Sequence, residues 1–136
     1  MFKNKILITQ LDKERILNLL KEGYSLNSNK YLSQVFEKEI KKRQAVKSDK
    51  IPPDVITMRS KFRLKDLGTG QRYEYTLVYP QEVDSESKIS ILAAYGTAVF
   101  GSRKGDVVRW DLETGTKFFQ IDEIIYQPEA SGHWDL

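Results

Sequence analysis

His133 is the only histidine of the chain, and no cysteine stands anywhere in the 136 residues to join it. A metal centre or a histidine-based nucleophile system needs several such groups converging, so neither is expected. Two carboxylate pairs, Asp84 with Glu86 and Asp122 with Glu123, have the types that general acid–base work uses. That chemistry also requires a pocket that drives two pKa values apart, and these pairs fall in a polar loop and at a break in strand alternation. Gly101-Ser102-Arg103-Lys104-Gly105 has the flavour of a phosphate loop. It lacks the ordered G-x-x-x-x-G-K-[ST] and the long helix behind it, so it reads as a surface turn. Lys38, Lys41, Lys42, Arg43 and Lys47 form a basic cluster without interleaved aromatics, which predicts at most weak, salt-dependent binding of nucleic acid. The expectation is therefore a protein with no catalytic residue, no metal and no cofactor, and not an enzyme.

The elements that hold these residues fall into two groups. Thr9 can cap a helix, Asp12 suits its first turn, and Ile8 is placed for a hydrophobic staple. Leu11, Ile16, Leu19 and Leu20 then form a stripe, widened by Leu17, that stops at Gly23. A polar connection, GYSLNSN, leads to a second helix from Ser28 or Asn29, about 17 residues long, with Leu32, Val35, Phe36 and Ile40 on one face. Glu37, Lys38, Lys41, Lys42 and Arg43 take its other face. Two such helices predict an antiparallel hairpin, a short coiled coil whose first arm of 12 residues reaches about 18 Å. Ile51-Pro52-Pro53 breaks the pattern and sets a boundary, giving residues 1–50 and 51–136 as two domains.

Beyond the boundary the period is two. Phe62 and Leu64, then Tyr73, Tyr75, Leu77 and Tyr79, alternate with polar residues around a Gly68-Thr69-Gly70 turn. The stretch from Lys88 to Val108 opens as a strand at Ile89 and Ile91. It changes to one or two helical turns at Tyr95, Val99 and Phe100, stops at Gly101, and returns as a strand. Strands through Trp110 and through Phe119, Ile121 and Ile125 follow, with a β-bulge expected near Asp122-Glu123 and a loosely held tail over the last seven residues.

Composition sets the class. A hydrophobic content of 40% with 30% charged residues predicts a folded soluble domain rather than a disordered chain. No apolar run approaches the roughly 20 residues that span a bilayer, and the N-terminus lacks the features of a signal peptide. With no cysteine, a cytoplasmic location is expected. Residues 1–50 carry twelve Lys/Arg against six Asp/Glu, and residues 51–136 ten against thirteen. The basic front half fits either a solvated helical face or an acidic partner.

Three ordered segments carry a resemblance. They are Met58 through Tyr79-Pro80, the run Gly96, Ala98, Gly101, Lys104-Gly105-Asp106-Val107-Val108, and the ending Tyr126-Gln127-Pro128-Glu129-Ala130. On these the chain resembles the Gre family of bacterial transcript-cleavage factors, and over its full length the short Rnk branch of that family. The resemblance implies an α+β protein: an N-terminal helical hairpin, then an FKBP-like antiparallel β-sheet domain with one short helix. It implies as partner the bacterial RNA polymerase, gripped at the β′ coiled coil on the rim of the secondary channel. The matching surface here is Ala93, Ala94, Tyr95, Gly96 and Thr97. Gre factors show Ser-Pro and a later basic residue there; Ala93-Ala94 and Thr97 depart from that.

Gre hairpins are long and present acidic residues at the tip, where they help hold a catalytic Mg²⁺. The corresponding tip here, with Gly23, Tyr24, Asn27 and Asn29, contains no carboxylate. The implied function is a non-catalytic, monomeric polymerase-binding factor that modulates transcription or competes with Gre factors without stimulating cleavage. Two alternatives stay open: an FKBP-like peptidyl-prolyl isomerase using Tyr73, Tyr75, Tyr79 and Trp110 as an aromatic cup, and the weak basic nucleic-acid binder above. Tyr95 reads equally as core or contact, and Tyr24 either probes a partner or covers Leu26.

Overall fold

A computed structural model describes residues 7–24, 30–112 and 114–133. Helix α1 spans Gln10–Lys21 and is capped as expected, Thr9 Oγ1 accepting the Asp12 N–H at 3.0 Å. It ends in a Schellman turn: Gly23, at φ 100°, donates to the Leu20 carbonyl and Tyr24 to that of Leu19. Helix α2 spans Lys30–Lys42. It is 13 residues, shorter than the 17 expected, because the chain leaves at Arg43 for a strand that its periodicity does not announce. That strand, β2 (Gln44–Val46), pairs in parallel with β1 (Leu7–Thr9), just ahead of α1. Lys13 donates to the carbonyls of Lys41 and Arg43, so a cation from the first turn of α1 closes the end of α2.

The larger sheet has five strands: β3 (Lys61–Asp66), β4 (Arg72–Val78), β5 (Lys88–Ser90), β6 (Val107–Leu112) and β7 (Gly115–Tyr126), in the order β5-β4-β3-β7-β6. It is mixed, which corrects the expectation of a purely antiparallel sheet. Strand β5 runs parallel to β4, with Thr76 opposite Lys88 and Val78 opposite Ser90. A parallel neighbour ordinarily needs a crossover of a dozen residues or so. Here the chain doubles back through a 3-10 turn at Pro80–Glu82, which is enough because the ladder is only three residues long. The expected bulge is present: Arg63 faces Glu123 while Leu64 faces Ile121, so Asp122 is the extra residue.

One buried cluster runs through both groups of elements. Ile8, Ile16, Leu19, Phe36 and Ile40 belong to it together with Phe62, Leu64, Leu77, Ile91, Phe100 and Ile121. The seam between them is polar in two places. Asp12 accepts the Met58 N–H at 3.1 Å, and Arg43 donates to the Phe100 carbonyl at 3.3 Å. Arg43 is 3% exposed, not part of the solvated basic face expected for it. Its guanidinium lies over the Phe100 ring at 5.5 Å, and burial lowers its pKa to about 10. Residues 131–133 are tied down further than expected, Ser131, Gly132 and His133 donating back to the carbonyls of residues 127 to 129, while the last three residues of the expected loose tail lie outside the described residues. Among the described residues no helix is long and apolar enough to cross a membrane.

Candidate functional site

Helix α3 (Ala94–Val99) lies beside β6, reached from β5 by a tight turn at Ile91–Ala93. Gly96 makes that approach possible. A Cβ on it would stand 2.0 Å from the Ser90 carbonyl oxygen and 2.9 Å from the carbon, so only glycine fits against the end of β5. The Ala93 carbonyl accepts the Thr97 N–H, and the Gly96 carbonyl accepts that of Phe100. Gly101 then turns the chain at φ 81°, a conformation open to glycine at little cost.

This geometry sorts the five expected contact residues. Thr97 is buried, 1% exposed, and Gly96 is buried against β5. Ala93 and Tyr95 are half-buried and carry the accessible side chains. Tyr95 stacks on Trp110 with ring centroids 4.1 Å apart and planes 20° off parallel, and Trp110 in turn meets Phe119 at 4.4 Å. Tyr73 and Tyr75 stack on each other at 6.4 Å; burial, helped by the nearby Tyr73 and Tyr95 hydroxyls, raises the pKa of Tyr75. Tyr95 is therefore both: one face is packed, and its remaining surface stands at the edge of an aromatic row.

The other aromatic residue singled out, Tyr79, is elsewhere. It lies under the Arg59 guanidinium at 5.3 Å, and burial pushes its hydroxyl well above the usual range. The four rings considered for an isomerase cup are thus divided between two places. At the tip, Gly23 and Tyr24 are exposed beyond α1, while Asn27 and Asn29 lie outside the described residues.

Several of the remaining chemical candidates are held in surface ion pairs. Arg103 faces Asp54 at 3.2 Å and Lys104 faces Glu123 at 3.7 Å, so the glycine-flanked turn has its cations matched to carboxylates. Asp122 pairs with Arg72 and Asp84 with Lys88. Lys38, Lys41, Lys42 and Lys47 are exposed, Lys41 with Glu37 one turn away at 3.7 Å. Among the described residues no group of three or more His, Asp or Glu could hold a metal ion.

Sequence reasoning missed four residues of structural weight. Asp12, expected as a favourable charge in the first turn, and Arg43, expected on the polar face of the second helix, are both buried, and nothing local marks them so. Gln127 donates to the carbonyls of Pro52 and Val55, each at 2.8 Å, and Glu129 accepts the Thr57 hydroxyl at 2.7 Å. These two belong to the ending Tyr126-Gln127-Pro128-Glu129-Ala130, so the resemblance pointed to them without saying what they do. They clamp the turn that links the helices to the sheet.

The family profile described as "Transcription elongation factor, GreA/GreB, C-term" matches residues 51–126. The chain belongs to the GreA/GreB family. Within it, the chain is 33% identical over its full length, and over the full length of the relative, to "Regulator of nucleoside diphosphate kinase" of Escherichia coli K12. It is 34% identical over 89 residues to "Transcription elongation factor GreA" of Clostridium botulinum, covering 65% of this chain and 56% of that one. A solved GreA/GreB structure from Nitrosomonas europaea superposes with a TM-score of 0.76 at 36% identity, covering 91% of this chain and all of the other. The family match spans the sheet, α3 and its flanking turns. The full-length match to the regulator brings in the two-helix segment as well.

Proposed function

We propose that this GreA/GreB-family chain is a non-catalytic RNA polymerase-binding factor. Residues 51–136 form an FKBP-like docking domain, and residues 1–50 a short helical hairpin that it positions. Docking is at the β′ coiled coil on the secondary-channel rim, through the turn and helix start at Ala93, Ala94 and Tyr95, with Gly96 and Thr97 holding that surface from beneath. The hairpin, with Gly23, Tyr24, Asn27 and Asn29 at its tip, stands at the channel entrance. It acts by occupancy, limiting access or excluding Gre factors, as a monomer in the cytoplasm. Any effect on nucleoside diphosphate kinase runs through gene expression.

The observation that carries the reading is the full-length similarity to a regulator whose family otherwise contains elongation factors, combined with a tip sequence, GYSLNSN, that has no carboxylate. Metal-assisted hydrolysis of a phosphodiester needs acidic ligands to hold the ion, and neutral side chains do not supply them. An α1 of 12 residues, about 18 Å long, is also a short arm for reaching a distant active centre.

The test is coprecipitation with purified core polymerase. Wild-type protein should be retained, and Tyr95→Asp, checked to be folded by circular dichroism, should be lost. Absence of retention of the wild type at low salt would contradict the proposal.

A further inference from the structure

Asp12 is 1% exposed, in the first turn of α1. Its Oδ2 accepts the Met58 N–H, a bond from the two-helix segment to the chain that leads into β3. Its other oxygen, Oδ1, is buried and has no hydrogen-bond partner. An ionised carboxylate offers about four acceptor sites, so the Met58 N–H and the neighbouring Thr9 hydroxyl compensate its burial only in part.

The groups facing it come from every element packed there. Arg15 is on its own helix and Tyr79 on the exit of β4, with Arg59 and Glu82 paired at 2.9 Å behind that ring. Glu129 comes from the C-terminal segment, 8% exposed and held by the Thr57 hydroxyl. Glu129 carries the same sign as an ionised Asp12 and repels it; Arg15 attracts it. Burial is the largest influence and Glu129 adds to it, against the Met58 N–H, the Thr9 hydroxyl and Arg15, leaving the Asp12 pKa raised to about 7. A groove of about 450 Å³ between α1 and the Tyr79–Glu82 turn, lined by Arg15, Leu19, Arg59 and Tyr79, gives this seam a solvent-facing side.

We propose that the Asp12 carboxyl is a proton-operated latch between the two-helix segment and the sheet. Neutral, it seats α1 against residues 57–60; ionised, it lets the seam open so that the charge reaches water. The proton comes from solvent and returns to it. In the open seam the carboxyl has its ordinary acidity, so the closed form binds the proton more tightly than the open one. Opening therefore grows as pH rises from about 4 and levels off once the closed form is itself ionised, near 7. The inference does not depend on what the protein binds. It concerns how firmly the front segment is aimed.

The test uses the full chain and two readouts by NMR: the carboxyl shift of Asp12 between pH 4.5 and 8.5, and native-state exchange of the Met58 amide over the same range. The Asp12 shift should titrate with a midpoint near 7. Protection of Met58, corrected for intrinsic exchange, should fall by up to about tenfold per pH unit between about 5 and 7 and then level off. Asp12→Asn keeps an acceptor for the Met58 N–H and removes the charge, so its protection should not vary with pH. Glu129→Gln removes the repulsion, so the midpoint should move down. Should Asp12→Asn fail to fold, the wild-type titration and Glu129→Gln still decide. An Asp12 midpoint near 4 would overturn the proposal, as would the same pH-dependent opening in Asp12→Asn. Protection of Met58 as high as that of Leu64, in the middle of the sheet, at every pH would mean that the seam opens only when the whole molecule unfolds, and would overturn it too.

Discussion

Gly96→Ala probes the packing that presents the candidate docking surface. The added Cβ would lie 2.0 Å from the Ser90 carbonyl oxygen, 2.9 Å from its carbon and 3.0 Å from Ile91 Cα. All three are backbone atoms, so no rotamer change relieves the contact; α3 or β5 must move by about 1 Å or more to restore ordinary separation. Overpacking costs about 1–3 kcal/mol, and here the upper part of that range applies. Alanine returns about 1 kcal/mol in helix propensity, leaving a net loss of about 2 kcal/mol. For a chain of this size that corresponds to a drop in Tm of roughly 6–10 °C. The assay is urea and thermal unfolding followed by far-UV circular dichroism. A second readout is the emission of Trp110 in a Trp134→Phe background, because displacing α3 slides Tyr95 off the indole and exposes it. An unchanged midpoint together with an unchanged emission maximum would refute the close-approach argument.

Arg43→Met keeps most of the side-chain volume but leaves the Phe100 carbonyl without its donor and removes the cation over the ring. It should cost about 1–3 kcal/mol in urea unfolding, whereas Lys42→Met next to it should change stability by less than about 0.5 kcal/mol. Asp12, with its pKa raised from 3.8 to about 7, binds its proton more tightly folded than unfolded, so it makes stability fall as pH rises between those values. The loss amounts to about 4 kcal/mol, and denaturation midpoints for Asp12→Asn should lack it. Gln127→Ala removes two bonds to the Pro52–Val55 turn and should cost about 1–3 kcal/mol, with amide exchange around residues 52–55 accelerating before that of the sheet.

The parts of the fold that were legible are those written in local pattern. Thr9 as a cap, Gly23 as a stop, the alternation along β3, the extra residue at Asp122 and the helix between Ala94 and Val99 all follow from neighbours within a few positions, whereas burial along β4 does not alternate: Tyr73 is exposed and Leu77 and Val78 are both buried. What was not legible is set by partners far along the chain. Nothing in Leu7–Thr9 or Gln44–Val46 shows a strand until the two lie side by side, since three residues carry no measurable period. Strand β5 runs parallel to β4 because of how the Pro80–Glu82 turn folds back, and alternation does not encode direction. Asp12 in the first turn of α1 and Arg43 at the end of α2 occupy positions where a charge is ordinarily solvated; the partners that go with their burial, Met58 and Phe100, are 46 and 57 residues away. Within the candidate site the pentapeptide was visible from its resemblance, but its division was not. Thr97 points into the core and Tyr95 toward the edge because Gly96 presses the helix onto β5.

Docking without cutting is tested most directly on backtracked elongation complexes. A fixed, subsaturating amount of a Gre factor is mixed with increasing amounts of this protein, and shortened transcripts are resolved on a gel. The proposed function predicts that cleavage declines as this protein is added, that Tyr95→Asp does not inhibit, and that the protein alone yields no shortened transcript. Cleavage products from the protein alone, or undiminished Gre-dependent cleavage at a large molar excess, would contradict it.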